Sequence, residues 1–272
     1  MTALTAADPS RLAELRAKID AIDESVHRLL MQRAMVIDEL IEVKGTARNG
    51  AAFRPGREAD MMRRLAQRHQ GHLPLTAIEH LWREIISTFT ALQAPFEVAV
   101  STSGGCVAAI EAARFTFGFS VPVLPRDSAD DVVEWIEEGG DRLGVVMLAE
   151  QAAAWWEGLT SGQIVARLPF FEAEGREAGA PALVLAPPLA DPVPFEIDCL
   201  VVAGPKRSVA ALMAGPLLTA GAAETIAAEH WDASSSLLVA TADAAGLQRE
   251  AAALGLDIRP VGGYAAPFRI EG

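Results

Sequence analysis

Leu12, Leu15, Ile19, Ile22, Val26, Leu29, Leu30, Ile37, Leu40 and Ile41 recur at steps of mostly three and four residues. The spacing predicts one helix of about 35 residues, some 52 Å long, with a single apolar stripe. Pro9 and Ser10 open it, the proline standing where a missing N–H costs nothing. A small domain cannot cover a stripe of this length. The helix needs a partner along its whole length, often from a second chain. Gly45 and the stretch 47–55, with Asn49-Gly50, break it. A shorter helix is predicted over about 57–69. A third, over about 75–93, carries Ile78, Leu81, Trp82, Ile85, Ile86 and Phe89. Gly71 and Pro74 turn the chain between them, and Pro95 ends the third.

From Phe96 the pattern changes. Residues 96–100, 120–124 and 143–148 read as strands, separated by helices up to about 117 and over 127–138. Strands alternating with helices imply a parallel α/β unit. Further strands are predicted at 164–170, 182–186, 197–203 and 236–241, with helices near 207–218 and 244–254. The chain thus divides into a helical domain, 1–95, and an α/β domain, 96–272. The β–α–β–α–β order from about 197 allows a separate small lobe.

Charge sharpens that division. The 272 residues carry a formal net charge of −13, yet residues 1–95 hold 13 Lys+Arg against 12 Asp+Glu, and residues 96–272 hold 10 against 24. So acidic a chain repels phosphate at long range, which argues against nucleic acid or an anionic membrane as partner. No apolar run reaches the roughly 18 residues of a membrane span, and MTALTAADPSR lacks the pattern of a secretory signal. Cys106 and Cys199 are the only cysteines, too few for a disulfide framework or a cysteine zinc site. A soluble cytoplasmic protein is expected. His27, His69, His72, His80 and His230 have no metal spacing, and neither a dinucleotide fingerprint nor a P-loop is present. No metal and no cofactor is called for. Trp135, Trp155 and Trp156 read as core or interface packing.

Lysine is scarce, with only Lys18, Lys44 and Lys206. Arg33 and Lys44 are 11 residues apart, about 20° round a helix and about 16 Å along it. They could clamp a small anion. Arg16 lies about 25 Å from Arg33 on the helix, near 260° round, so it could serve the equivalent site of an antiparallel partner. The alternative is that all three are solvated charges over an apolar face.

The wider pattern goes further. Leu15-Arg16-x-Lys18-Ile19-Asp20-x-Ile22-Asp23 is followed by Leu29-Leu30-x-x-Arg33, Val43-Lys44, Arg54-Pro55-x-Arg57-Glu58 and Trp82-Arg83-Glu84-Ile85-Ile86-Ser87, closing on Gln93. Residues 12–93 so ordered resemble the all-helical class of chorismate mutase, the domain often fused to the front of prephenate dehydratase. The resemblance implies a homodimer of three-helix chains whose long first helices span both subunits. It implies that Arg33 and Arg57 bind the two carboxylates of chorismate and that Arg16 reaches the partner's active site. Lys44 and Gln93 would hydrogen-bond the ether oxygen, and Glu58 would meet the substrate hydroxyl. Two positions depart from the pattern. Arg54 stands where enterobacterial-type sequences carry Asp, and is counted with the substrate-binding candidates. Phe89 replaces a small Ser, and either lines the pocket or joins the core.

Residues 97–151 distantly resemble the first half of a prephenate dehydratase domain. The fold class implied is therefore α+β multidomain. An all-α three-helix chorismate mutase-type dimer module precedes an α/β domain that is periplasmic-binding-protein-like or prephenate dehydratase-like. The dehydratase working motifs are not found. The turn that should read Gly-Pro-x-Gly-Thr is Ser103-Gly104-Gly105-Cys106-Val107, and no Thr-Arg-Phe, Thr-Lys-Phe or Glu-Ser-Arg-Pro occurs. Residues 101–105 form a small-residue turn before a helix, a candidate anion site or simply a polar turn. The function expected is conversion of chorismate to prephenate, with the second domain regulatory or structural. The rivals are a bifunctional mutase–dehydratase and a non-enzymatic ligand sensor dimerised by the helices.

Overall fold

The computed structural model describes residues 8–43, 53–149, 154–173, 180–189 and 194–270. By packing the chain forms two units, 1–48 and 49–272. Among the described residues the first holds one helix, α1 (Pro9–Val43), 35 residues long as the period predicts. Its cap is Asp8, one residue before the proline: the Asp8 carboxylate accepts from the Ser10 amide at 3.0 Å and hydroxyl at 2.7 Å. None of its residues is buried. No helix among the described residues is long and apolar enough to cross a membrane.

The second unit opens with α2 (Pro55–Arg68) and α3 (Leu75–Gln93). Their apolar stripes, Ala59, Met62 and Leu65 on α2 and Ile86 on α3, bury against Phe170 and Phe171. Helical spacing alone does not name that partner, because the two phenylalanines lie some eighty residues downstream.

The sheet that follows has, among the described residues, nine strands in the order β2-β1-β3-β6-β4-β10-β7-β9-β8. β1 (Glu97–Ser101) pairs in parallel with β2 (Val123–Arg126) and β3 (Arg142–Met147), the parallel unit the sequence implies. α4 (Cys106–Phe117) and α5 (Ala129–Glu137) make its crossovers. Ser128 and Asp131 form a capping box at the start of α5. Beyond β3 the sheet is mixed, because β6 (Ala182–Ala186) lies antiparallel to both β3 and β4 (Gln163–Leu168). α3 packs on α4, and Glu84 accepts from the amide of Phe119 at 3.1 Å. Gly118, at φ +69°, permits this approach, since a Cβ there would lie 2.2 Å from the Glu84 carboxylate.

The last lobe runs β7 (Ile197–Pro205), α6 (Lys206–Met213), α7 (Pro216–Thr219), β8 (Ala223–His230), β9 (Ser234–Thr241), α8 (Ala244–Ala253) and β10 (Asp257–Tyr264). Its strands are all antiparallel to their neighbours within the lobe, in the order β10-β7-β9-β8. That is the β-α-β-β-α-β arrangement of ferredoxin-like folds. Alternation sorts its core. Leu200, Val202, Leu237 and Val239 face α6 and α8, whereas Cys199, Val201, Leu238 and Ala240 join the cluster containing Trp155, Trp156 and Trp135. The three tryptophans are core residues. The lobe joins the rest of the sheet at β4, through the parallel pairing of Gly262 with Ile164. A Cβ at Gly262 would lie 2.1 Å from the Ile164 carbonyl oxygen, so only glycine allows the contact. A second sheet of two strands, β5 (Phe171–Ala173) and β11 (Phe268–Ile270), adjoins α2 and α3.

Candidate active site

The seven candidate residues fall into three groups. Arg16 and Arg33 lie on α1, the first exposed and the second half-buried. Lys44 lies outside the described residues. Arg54, Arg57, Glu58 and Gln93 belong to the second unit.

α2 starts where it does because Pro55 supplies a helical φ and lacks the N–H that a first turn leaves unpaired. Arg54 precedes it, and its carbonyl accepts the Glu58 amide at 3.0 Å. This start places Arg54 and Arg57 on one cavity of about 410 Å³. Arg63, two turns along, also lines it, held bidentately by Glu196 at 2.8 and 2.6 Å. Hydrogen bonding by Arg63 holds the Glu196 carboxyl below the usual carboxylate range. The wall opposite the helix is apolar and includes Val165, Leu189 and Phe195.

Glu58 faces the other way. It is buried, and Arg83 on α3 donates to it at 2.9 Å. Burial pushes its carboxyl up, and the Arg83 charge pulls back less strongly. The cavity beside the pair, lined by Phe53, Phe117 and Leu168 among others, measures about 20 Å³. That holds one water and no substrate. Expected at a substrate hydroxyl, Glu58 is here closed in an ion pair. Sequence reasoning missed the pairing of Arg83. A signal was present: Glu79, Arg83, Ile86 and Thr90 share one helical stripe and all are buried. Two charges on an apolar stripe call for buried partners.

Gln93 is half-buried at the C-terminus of α3, where its side-chain amide donates to the Phe89 carbonyl at 2.9 Å. Phe89 itself is buried. The 101–105 turn is internally engaged. The hydroxyls of Ser101 and Ser103 meet at 3.2 Å, and that of Thr102 donates to the Arg126 carbonyl at 2.9 Å.

Among known proteins, the chain is 31% identical over 144 residues to the bifunctional chorismate mutase/prephenate dehydratase of Pseudomonas aeruginosa, a match covering 52% of this chain and 39% of that protein. It is 33% identical over 122 residues to the protein of the same description from Neisseria gonorrhoeae, covering 45% of this chain and 33% of the relative. The chain therefore spans about two fifths or less of the length of these curated relatives. Among solved structures it is similar to prephenate dehydratase from Streptococcus mutans, with 14% identity and a TM-score of 0.43 over 64% of this chain and 99% of that one. Residues 15–94 match the chorismate mutase type II family, and all seven candidate residues from Arg16 to Gln93 fall within that segment.

Proposed function

We propose that the chain is a chorismate mutase, converting chorismate to prephenate. The observation that carries this is the family match over 15–94, which encloses every candidate residue in order.

The reaction is a concerted [3,3] shift that needs no nucleophile, proton transfer or cofactor. The catalyst must hold a flexible dianion in its compact, near-attack shape. It must also stabilise negative charge developing on the ether oxygen as the C–O bond breaks. Guanidinium forks match carboxylates bidentately, which suits Arg33 and Arg57 to the clamps, with Arg54 beside Arg57 adding charge. Lys44, a compact ammonium in an arginine-rich chain, suits the ether oxygen, with Gln93 as second donor. Glu58, which the resemblance sets at the substrate hydroxyl, is closed in its buried ion pair with Arg83 and is given no substrate contact in this reading. Arg16 completes the site of a second copy. The bare stripe of α1 supports a homodimer, and a cytoplasmic setting fits the acidic chain. In this reading the functional modules are 1–95 and 96–272, the second regulatory or structural.

Chorismate consumption by the full chain, with products separated by chromatography, tests the proposal. Prephenate forming well above the uncatalysed rate is expected, without phenylpyruvate. Consumption no faster than in buffer removes the assignment.

A further inference from the structure

Arg63 is the side chain by which the α/β domain grips α2. Its two Nη atoms donate to the two carboxylate oxygens of Glu196 at 2.8 and 2.6 Å. Nη2 also donates to the Ala266 carbonyl at 3.1 Å, and the Ala266 amide donates to Glu196 at 2.9 Å. The guanidinium lies over the Phe170 ring, 5.6 Å from its centroid. Glu196 stands just before β7, Ala266 between β10 and β11, and Phe170 between β4 and β5. One arginine of α2 thus meets three separate segments of the second domain. Glu196 is exposed, and ion pairs so placed add little to stability. What a bidentate, cross-linked guanidinium fixes is geometry. α2 has use for that. Met62 and Leu65 hold one face of it in the core, but no side chain caps its first turn.

We propose that Glu196 is a positioning residue: through Arg63 it fixes the turn and slide of α2, and with them the place from which Arg57 acts. Arg57 stands six residues before Arg63, about 9 Å along the helix, and both line the same cavity. The inference rests on the mutase reading, in which Arg57 clamps one carboxylate of the dianion. A binding group displaced by about 1 Å can cost on the order of a hundredfold in rate. Glu196 also keeps Arg63 occupied. Left unpaired, Arg63 would be another guanidinium on the cavity, able to draw the carboxylate away from Arg57. Glu196 lies outside the segment 15–94 that matches the family, so the second domain supplies a part that the helices do not carry themselves.

Steady-state kinetics of the full chain test it, with Glu196→Gln, Arg63→Met and the double variant. A carboxylate clamp acts on substrate and transition state alike. Each variant should therefore raise the KM for chorismate on the order of tenfold and leave kcat within about twofold. The double variant should match the single ones, since the two residues act as one unit. A merely structural loss would shrink the folded, active fraction, lowering kcat and leaving KM where it was. Amide hydrogen exchange adds a readout that needs no turnover. Residues 58–63 should exchange on the order of tenfold faster in Glu196→Gln than in the unaltered chain. Unchanged exchange, an unchanged or lowered KM, a fall in kcat alone, or KM effects that add in the double variant overturn the proposal. If the unaltered chain leaves chorismate unconverted, the mutase reading falls, while faster exchange in Glu196→Gln still keeps the hold of Glu196 on α2.

Discussion

α1 and the α2–α3 pair lie within one family segment but handle their apolar residues in opposite ways. On α1, Ile19, Ile22, Leu29 and Met35 are all more than half exposed. On α2 and α3, Met62 is fully buried and Ile86 nearly so, against Phe170 and Phe171 of the α/β domain. The pair has found its core within the chain. The apolar residues of the long helix are exposed, and in the reading proposed above a second copy covers them. The family segment thus holds one helix whose apolar stripe is exposed and two whose stripes are buried against Phe170 and Phe171.

The sharpest way to break that comparison is to spoil the stripe. Ile22→Asp puts a charge in the middle of it. If a second copy covers α1, light scattering will report a dimer for the unaltered chain and a monomer for the variant. Turnover should be lost altogether, because sites shared between chains cannot form. A variant that stays dimeric and active would place the interface elsewhere. Lys44→Ala acts one residue beyond α1, on chemistry rather than assembly. Removing one donor to a developing oxyanion costs about 3–4 kcal/mol, so kcat should fall on the order of a hundredfold or more with the dimer intact. Wild-type kcat would end the role given to Lys44.

The anchored pair is tested through Arg83. Arg83→Met leaves Glu58 buried without its counter-ion, which should cost about 3 kcal/mol or more of stability at neutral pH. The pH dependence has a definite sign. Burial already raises the Glu58 carboxyl above its ordinary value, and removing Arg83 raises it further. A raised carboxyl favours the fold when protonated, so the penalty should shrink as pH falls and grow as pH rises through the folded value. Urea midpoints at several pH values measure it. A penalty constant with pH would mean that Arg83 matters only for its packing.

What the sequence made legible was mostly local. The 3.6 period placed α1 and α3 to within a residue or two, because helix formation depends on near neighbours. The helix expected over 207–218 is divided by Gly215-Pro216 into α6 and α7, a break with a plain sequence signal. β8, with three alanines and little alternation, was missed, since only its pairing with β9 makes it a strand. The antiparallel insertion of β6 between β3 and β4 depends on pairing and has no local signature. The same limit holds at the site. Arg54 and Arg57 are neighbours in sequence and share a cavity. The ion pair of Glu58 with Arg83 spans 25 residues, and that of Arg63 with Glu196 spans 133.

The smallest effect serves as a control, because it lies in the α/β domain away from the family segment. The Glu137 carboxylate accepts hydrogen bonds from the amides of Thr160, Ser161 and Gly162 and from the hydroxyls of Thr160 and Ser161. Partial burial pushes its pKa up, but the bonds from Thr160 and Ser161 outweigh burial and bring it to about 2, from an ordinary value of 4.5. A depressed carboxyl stabilises the fold above its unfolded value and loses that contribution as pH falls from 4.5 towards 2. Solvent screens the group, so Glu137→Gln should cost only about 1 kcal/mol at neutral pH. The difference from the unaltered chain should narrow in acid, and chorismate turnover should not change. If turnover fell with Glu137→Gln while the dimer held, the α/β domain would be acting on the chemistry of the helices by a route other than Glu196, and the contrast between the exposed and the buried stripes would have to be redrawn.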